Sequence, residues 1–101
     1  AWNLFSPLNI RWETFADKSL FQTRYFTEVY WEKNPKNDEF ARVVAYKVYR
    51  KKTGQPASAF NSIAKVDANM FRYTDSKVEA RDTYVYAVTA VDSFGHESPI
   101  E

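Results

Sequence analysis

The chain has 101 residues, of which 45% are hydrophobic and 27% are charged, and this is enough for one domain with its own core. Its 14 basic and 13 acidic residues leave a net charge of +1, which provides no broad positive field for nucleic acid or an anionic membrane. The absence of cysteine excludes disulfide bonds, thiol nucleophiles and thiolate zinc sites. We therefore expect residues 1–101 to form a single domain, in which residues 1–6 are a linker or a leading segment.

Alternating side chains predict β-strands in the first third of the chain. Residues 8–12 have the pattern of an opening strand. Residues 24–31 alternate more strictly, so that Trp31 belongs to one face of the strand while Phe26 and Tyr30 belong to the other. The segment that follows is rich in Asn, Asp and Lys around a proline, which is typical of a turn.

The middle of the chain predicts three further strands. Residues 42–51 place Tyr46 and Val48 in phase on one face, and a glycine- and proline-containing break follows them. Residues 60–66 and 69–75 are each short enough for a single strand. None of these segments has the spacing of an amphipathic helix, and aromatic and β-branched residues dominate them.

The last third of the chain carries the clearest alternation. Residues 83–92 form one strand in which every second side chain shares a face; these are Tyr84, Tyr86, Val88 and Ala90. After a turn at a glycine, residues 96–100 are predicted to form a short final strand.

About seven short strands, with turn signals every 8 to 12 residues or so, predict an all-β protein. The expected architecture is an immunoglobulin-like antiparallel β-sandwich. Its predicted core consists of Trp31, Tyr46, Val48, Tyr73, Val78, Tyr84, Tyr86, Val88 and Ala90.

The order of these residues resembles the fibronectin type III family. Trp31 resembles the family's core tryptophan, and the run from Tyr46 to Arg50 resembles its third-strand signature. Tyr84, with Val78 six residues earlier, resembles the tyrosine corner, in which the hydroxyl binds upstream backbone. The resemblance implies fibronectin type III topology and a noncatalytic module, since family members are mostly repeated in larger extracellular or cell-surface proteins.

One segment departs from that pattern. Residues 13–26 are longer and more aromatic than the usual link between the first two strands, and they resemble versions found in bacterial multidomain surface or secreted proteins. We expect the part up to Arg24 to fold over the outward aromatic side chains and form a small satellite cluster.

Catalytic chemistry lacks its usual parts. The single histidine, His96, falls in a predicted turn, with no nucleophile beside it. Glu28 and Asp75 could be imagined as a glycosidase pair, but a sandwich of this size offers little room for a cleft. We therefore predict no enzymatic activity, no cofactor and no metal site.

Two surface features suggest ligands. Trp12, Phe26 and Tyr30 are candidates for stacking on sugar rings. A basic strip at a strand end is a candidate for binding an acidic polysaccharide, although solvated charges that discourage edge pairing explain it as well; it comprises Arg42, Lys47, Arg50, Lys51 and Lys52.

The expected function is that of a noncatalytic spacer or interaction module in a larger exported protein, with the chain ends at opposite poles of the sandwich. The alternatives are a carbohydrate-binding accessory module that uses the exposed aromatic residues, and an adhesion domain that binds a protein. The expected partners are neighbouring domains, and then a polysaccharide or a surface protein. The sequence lacks a long apolar run and a signal-peptide pattern. We therefore expect no membrane insertion, an extracellular, cell-surface or periplasmic location, and an export signal outside this sequence.

Overall fold

A computed structural model describes residues 4–39, 42–78 and 83–100 of the chain. Within these residues there are six β-strands and two short 3₁₀ segments, Pro35–Glu39 and Ala57–Ala59. The strands are β1 (Leu8–Lys18), β2 (Thr23–Glu32), β3 (Val43–Lys52), β4 (Asn61–Asp67), β5 (Arg72–Asp75) and β6 (Tyr84–Asp92).

The strands form two antiparallel sheets, one in the order β1-β2-β5 and the other in the order β4-β3-β6. The sheets face each other across a shared core, so the expectation of an all-β antiparallel sandwich is confirmed at this level. No helix in the described part of the chain is long and apolar enough to cross a membrane.

The core lies between the two inner faces. The buried residues of this cluster are Val29, Trp31, Tyr46, Val48, Tyr86, Val88 and Ala90. Three residues of the predicted core, Tyr73, Val78 and Tyr84, are only half-buried. Tyr73 and Tyr84 pack against the edge of the cluster. Alternation therefore identified the inward faces of the central strands, but it overstated the burial of inward residues at the edge of the core.

The first strand is longer than its sequence pattern suggested. β1 continues past Trp12 to Lys18, pairs residue by residue with β2 from Arg11 onward, and turns back where the Ser19 amide donates to the Gln22 carbonyl at 2.9 Å. Residues 13–24 are exposed. They form the distal half of a long β1–β2 hairpin, so the expectation that they fold back over aromatic side chains is wrong.

The final strand is shorter than expected. Residues 96–100 form a single bridge, from Val91 to Glu97, and the Ser98 amide donates to the Ala90 carbonyl at 2.9 Å. The chain reverses before this segment at Gly95, whose φ of +85° suits a residue without a side chain. The described residues thus contain six strands and one bridge in place of about seven strands.

β6 is buried on both faces from Tyr86 onward, and its edges pair with β3 on one side and, at Val91, with the C-terminal segment on the other. On its outer face Thr89 donates to the Glu97 carboxylate at 2.7 Å, and Tyr49 donates to the same oxygen. Lys47 lies 3.5 Å from the other oxygen of this carboxylate. Burial alone would raise the pKa of Glu97, but these hydrogen bonds and the lysine charge outweigh burial and lower it.

The raised pKa of Tyr49 predicts that the domain becomes less stable at alkaline pH. Burial, together with the hydrogen bond to Glu97 and its negative charge, raises the pKa of Tyr49 to about 12. An unfolded tyrosine titrates near pH ~10, so between these values the unfolded chain loses a proton that the folded chain keeps, and the free energy of unfolding falls as the pH rises. Urea denaturation at pH about 8 and about 11 should show this fall, and Tyr49→Phe should reduce it. An equal fall in the variant would contradict the assignment.

A buried ion pair joins the two sheets. Asp75, on β5, is buried, and its Oδ2 atom lies 2.7 Å from both the Arg50 Nη1 and the Tyr86 hydroxyl, which belong to β3 and β6. The Lys77 amide donates to the other oxygen of Asp75 at 3.1 Å. The carboxylate of β5 therefore binds polar groups from two strands of the other sheet and links the two sheets.

The expected tyrosine corner falls partly outside the described residues. Residues 79–82, immediately upstream of Tyr84, belong to the chain that the structure does not describe. The Arg50 guanidinium lies 4.7 Å from the centre of the Tyr84 ring, an arrangement that favours a cation–π contact.

The leading segment is part of the folded unit. Leu4 and Ser6 are buried, and the Asn37 side chain binds both the amide and the carbonyl of Phe5 at 2.8 and 3.0 Å. The Ser6 hydroxyl donates to the Pro99 carbonyl at 2.7 Å. Residues 4–6 therefore pack against the rest of the sandwich, and residues 6 and 99 lie side by side.

Candidate ligand-binding face

The outer face of the β1-β2-β5 sheet carries rows of side chains that cross the strands. Because Val29 and Trp31 point into the core, the residues of β2 that alternate with them point outward. Antiparallel register places each of these opposite an outward residue of β1. The four pairs are Arg11 with Tyr30, Glu13 with Glu28, Phe15 with Phe26, and Asp17 with Arg24.

The three aromatic residues proposed for sugar binding do not share one face. Phe26 and Tyr30 lie on the outer face, as alternation predicted. Trp12 pairs with Val29 on the inner side, and its ring centre lies 5.6 Å from that of Tyr86. Trp12 therefore packs beside Tyr86 on the inner side and is not available beside the other two.

Phe26 packs against an aromatic neighbour on the adjacent strand. The Phe15 ring lies beside it on β1, with ring centres 5.4 Å apart and planes 23° from parallel. This cross-strand stack closes part of the Phe26 surface. Phe15 nevertheless remains exposed, so the pair forms a small apolar patch on the surface of the hairpin.

Tyr30 lies at the centre of a cationic row. Arg11, on β1, places its guanidinium carbon 5.3 Å from the centre of the Tyr30 ring, and Arg72 is the register partner of Tyr30 on β5. The Arg11 guanidinium is held by the Asn9 carbonyl at 2.9 Å and lies 3.7 Å from Glu32. Within the described residues Arg72 forms no ion pair.

An open pocket of about 460 Å³ adjoins this row. Asn69, Met70 and Phe71, from the turn that leads into β5, form one side of it. The remaining lining comes from Tyr30 and Trp31 and from the two arginines. The pocket thus combines aromatic surface, two guanidinium groups and one amide.

The neighbouring row is acidic. Glu13 and Glu28 stand directly opposite each other, an arrangement in which like charges repel. Thr74 donates to one oxygen of Glu28, and the other oxygen is buried without a hydrogen-bond partner among the described residues. The outer face therefore changes from positive to negative within one step along the strands.

The basic strip predicted at the end of β3 is divided by the fold. Arg50 points inward to Asp75, whereas Lys47 points outward to Glu97. Lys51 donates to the Gln55 carbonyl at 2.8 Å. Successive residues of a strand face opposite sides of the sheet, so basic residues adjacent in sequence do not form one surface.

The described residues do not bring catalytic groups together. Glu28 lies on the outer face of its sheet and Asp75 on the inner face, so they cannot act on one bond. His96 lies 3.0 Å from Asp92, a turn carboxylate that also accepts from the Phe94 and His96 amides. Burial would raise the pKa of Asp92, but these hydrogen bonds and the His96 charge lower it. No group of three potential metal ligands occurs in the part of the chain described.

The hairpin tip is a surface feature that the sequence did not single out. Leu20 and Phe21 are 94% and 96% exposed at the turn between β1 and β2. A pair of large apolar side chains at a turn was visible in the sequence. Their exposure depends on the hairpin extending beyond the core, which local patterning did not indicate.

No protein-family model matches the chain, and no curated protein sequence does. Among solved structures, it is similar to pectate lyase PelI from Erwinia chrysanthemi in complex with tetragalacturonic acid, with 18% identity and a TM-score of 0.58 over 90% of this chain and 27% of that one. Pectate lyase Pel3 from Pectobacterium carotovorum gives 20% identity and a TM-score of 0.58 over 88% and 25% of the two chains. A myokine structure gives 17% identity and a TM-score of 0.64 over 95% and 87%. The chain thus spans about a quarter of the pectate lyases, and these likenesses concern the fold alone.

Proposed function

We propose that the chain is a noncatalytic interaction and spacer module, similar to fibronectin type III domains, within a larger exported or cell-surface protein. The observation that carries this proposal is the share of each chain covered by the structural matches to pectate lyases. Nearly all of this chain corresponds to a minor part of each pectate lyase, so the same sandwich occurs within much longer chains. Neighbouring domains of the parent protein are then its first partners.

The strand order supports a fibronectin type III-like topology. In sandwiches of this class the first, second and fifth strands of the domain form one sheet, and β1, β2 and β5 are paired in that way here. β3 and β6 take the places of the central strands of the other sheet. The C-terminal segment bridges to β6 where a closing strand would pair. The short β4 extends the second sheet on the side of β3.

Exposed surface on the sandwich supports an interaction role. The exposed hairpin and the outer face of its sheet offer surface for contacts.

A noncatalytic role predicts binding without turnover. The purified domain should unfold cooperatively and should leave acidic and neutral polysaccharides at unchanged chain length after prolonged incubation, measured by size-exclusion chromatography. Turnover by the domain that disappears in Glu28→Gln, with the fold preserved, would overturn the proposal. Glu13→Gln provides a control on the opposite strand, because it makes the same chemical change at the register partner.

Adhesion to a protein is a second candidate, supported by the hairpin tip. Two almost fully exposed apolar side chains at the end of a hairpin are suited to insertion into a pocket of a partner. If this is the function, Phe21→Ser should abolish attachment of the parent protein to its target surface and leave the melting temperature of the domain unchanged. Retained attachment would exclude the tip.

A further inference from the structure

We infer that the row formed by Arg11, Tyr30 and Arg72 binds a carboxylate-bearing sugar, that is, a uronic acid unit of an acidic polysaccharide. This inference rests on the interaction role proposed above and names its ligand. It depends on the β1-β2-β5 register, which brings together three residues that are far apart in sequence.

The aromatic ring supplies the platform. Arg11 covers one face of Tyr30, so a ligand would pack against the rest of the ring, where the open pocket lies. Sugar rings present C–H groups that pack on aromatic faces, and the Asn69 amide at the pocket side can both donate to and accept from hydroxyl groups. The pocket is open, as a binding site for a unit within a chain must be.

The guanidinium groups supply selectivity for a carboxylate. Adjacent strands are ~4.8 Å apart, so the backbones that carry Arg11 and Arg72 lie roughly 10 Å apart, with Tyr30 between them. Arginine binds a carboxylate through two parallel hydrogen bonds. The Arg11 contact with Glu32 is an exposed ion pair, with side chains 57% and 56% exposed, and such pairs compete weakly with a ligand.

The acidic row limits which anions fit. Glu13 and Glu28 lie one step, ~7 Å, further along the strands, and one oxygen of Glu28 is buried with no hydrogen-bond partner in the part of the chain that the structure describes. A densely charged chain such as nucleic acid or a heavily sulfated glycan would place a second anion against this row. A single carboxylate per sugar, running across the strands, avoids that repulsion.

An acidic peptide is disfavoured by the geometry of the sheet edge. β5 is the edge strand beside the pocket, and it has only four residues. A peptide that added to this edge would gain few backbone hydrogen bonds, although such bonds supply most of the affinity in strand addition. A sugar is recognised mainly by side chains, and the site provides arginine, tyrosine and asparagine side chains for this.

The test is a titration of isotope-labelled domain with trigalacturonic acid and with its methyl ester, which has the same shape but no charge. We expect amide shifts at residues 11, 30 and 69–72, and at least a tenfold weaker affinity for the ester. Arg72→Gln and Tyr30→Ala should each weaken binding of the acid about tenfold or more. Lys65→Gln, which removes an equal charge from an exposed position on β4, should not.

Besides the absence of binding, three results would overturn the inference. These are equal affinity for acid and ester, equal weakening by Lys65→Gln, and tighter binding of inorganic phosphate or of an aspartate-containing tripeptide than of the sugar. Thermal melting of each variant establishes that it is folded. Absence of binding by the folded domain would remove this site but would not affect the noncatalytic role, which is tested by turnover.

Discussion

Replacing Trp31 with alanine is expected to destabilise the domain by about 3–5 kcal/mol, which is the usual cost of removing a large aromatic side chain from a core. Trp31 is 1% exposed, and its ring centre lies 5.7 Å from that of Tyr46 on the facing sheet. No single neighbouring side chain can fill the volume that is lost. Since small domains are typically stable by ~5–15 kcal/mol, the variant should have little stability left.

Urea denaturation followed by circular dichroism would measure this effect. Phe21→Ala is the matched control, because it removes an aromatic side chain that is 96% exposed and should change stability by less than about 0.5 kcal/mol. Melting of Trp31→Ala close to that of the unmodified domain would show that Trp31 is not at the centre of the core.

Replacing Asp75 with alanine is expected to cost about 3 kcal/mol. The substitution leaves the Arg50 guanidinium and the Tyr86 hydroxyl without the acceptor that both share. Removal of one partner of a buried ion pair typically costs ~3–5 kcal/mol, and the lower value applies because the Arg50 side chain retains 22% exposure.

The same denaturation measurement compares Asp75→Ala with Asp75→Asn and Asp17→Ala. Asparagine keeps an acceptor for Tyr86 but loses the charge, so an intermediate loss is expected. Asp17 lies on the exposed hairpin, and its removal should have little effect. If Asp75→Ala were as stable as Asp17→Ala, the ion pair would not hold the sheets together.

The sequence predicted the parts of the fold that depend on local alternation. β2, β3 and β6 were found within one residue of their ends, and their inward side chains, such as Trp31 and Val48, were assigned to the correct face. Each of these strands has one apolar inner face against the core, which produces a period of two.

The parts that were missed depend on pairing between segments. Beyond Trp12, β1 is exposed on both faces, so burial imposes no alternation on it, and its strand structure comes from hydrogen bonds to β2. The C-terminal segment is held by one bridge and by Ser98, which a short sequence pattern does not reveal.

The candidate site shows the same division. The outward direction of Phe26 and Tyr30 followed from alternation within β2. The inward position of Trp12 follows from its pairing with Val29, which is fixed by the turn four residues long between β1 and β2. Arg72 reaches Tyr30 through a pairing between residues 42 positions apart, so no local motif marks it.

The hydrogen bond between Ser6 and Pro99 also bears on how this unit can be combined with other proteins. Its two partners are 93 positions apart in the chain and 2.7 Å apart in space. A segment that begins at Ser6 and stops at Pro99 therefore has its two end residues next to each other. It could therefore be inserted into a surface loop of a carrier enzyme without separating the two sides of that loop. The β1–β2 hairpin would then extend from the surface of the carrier.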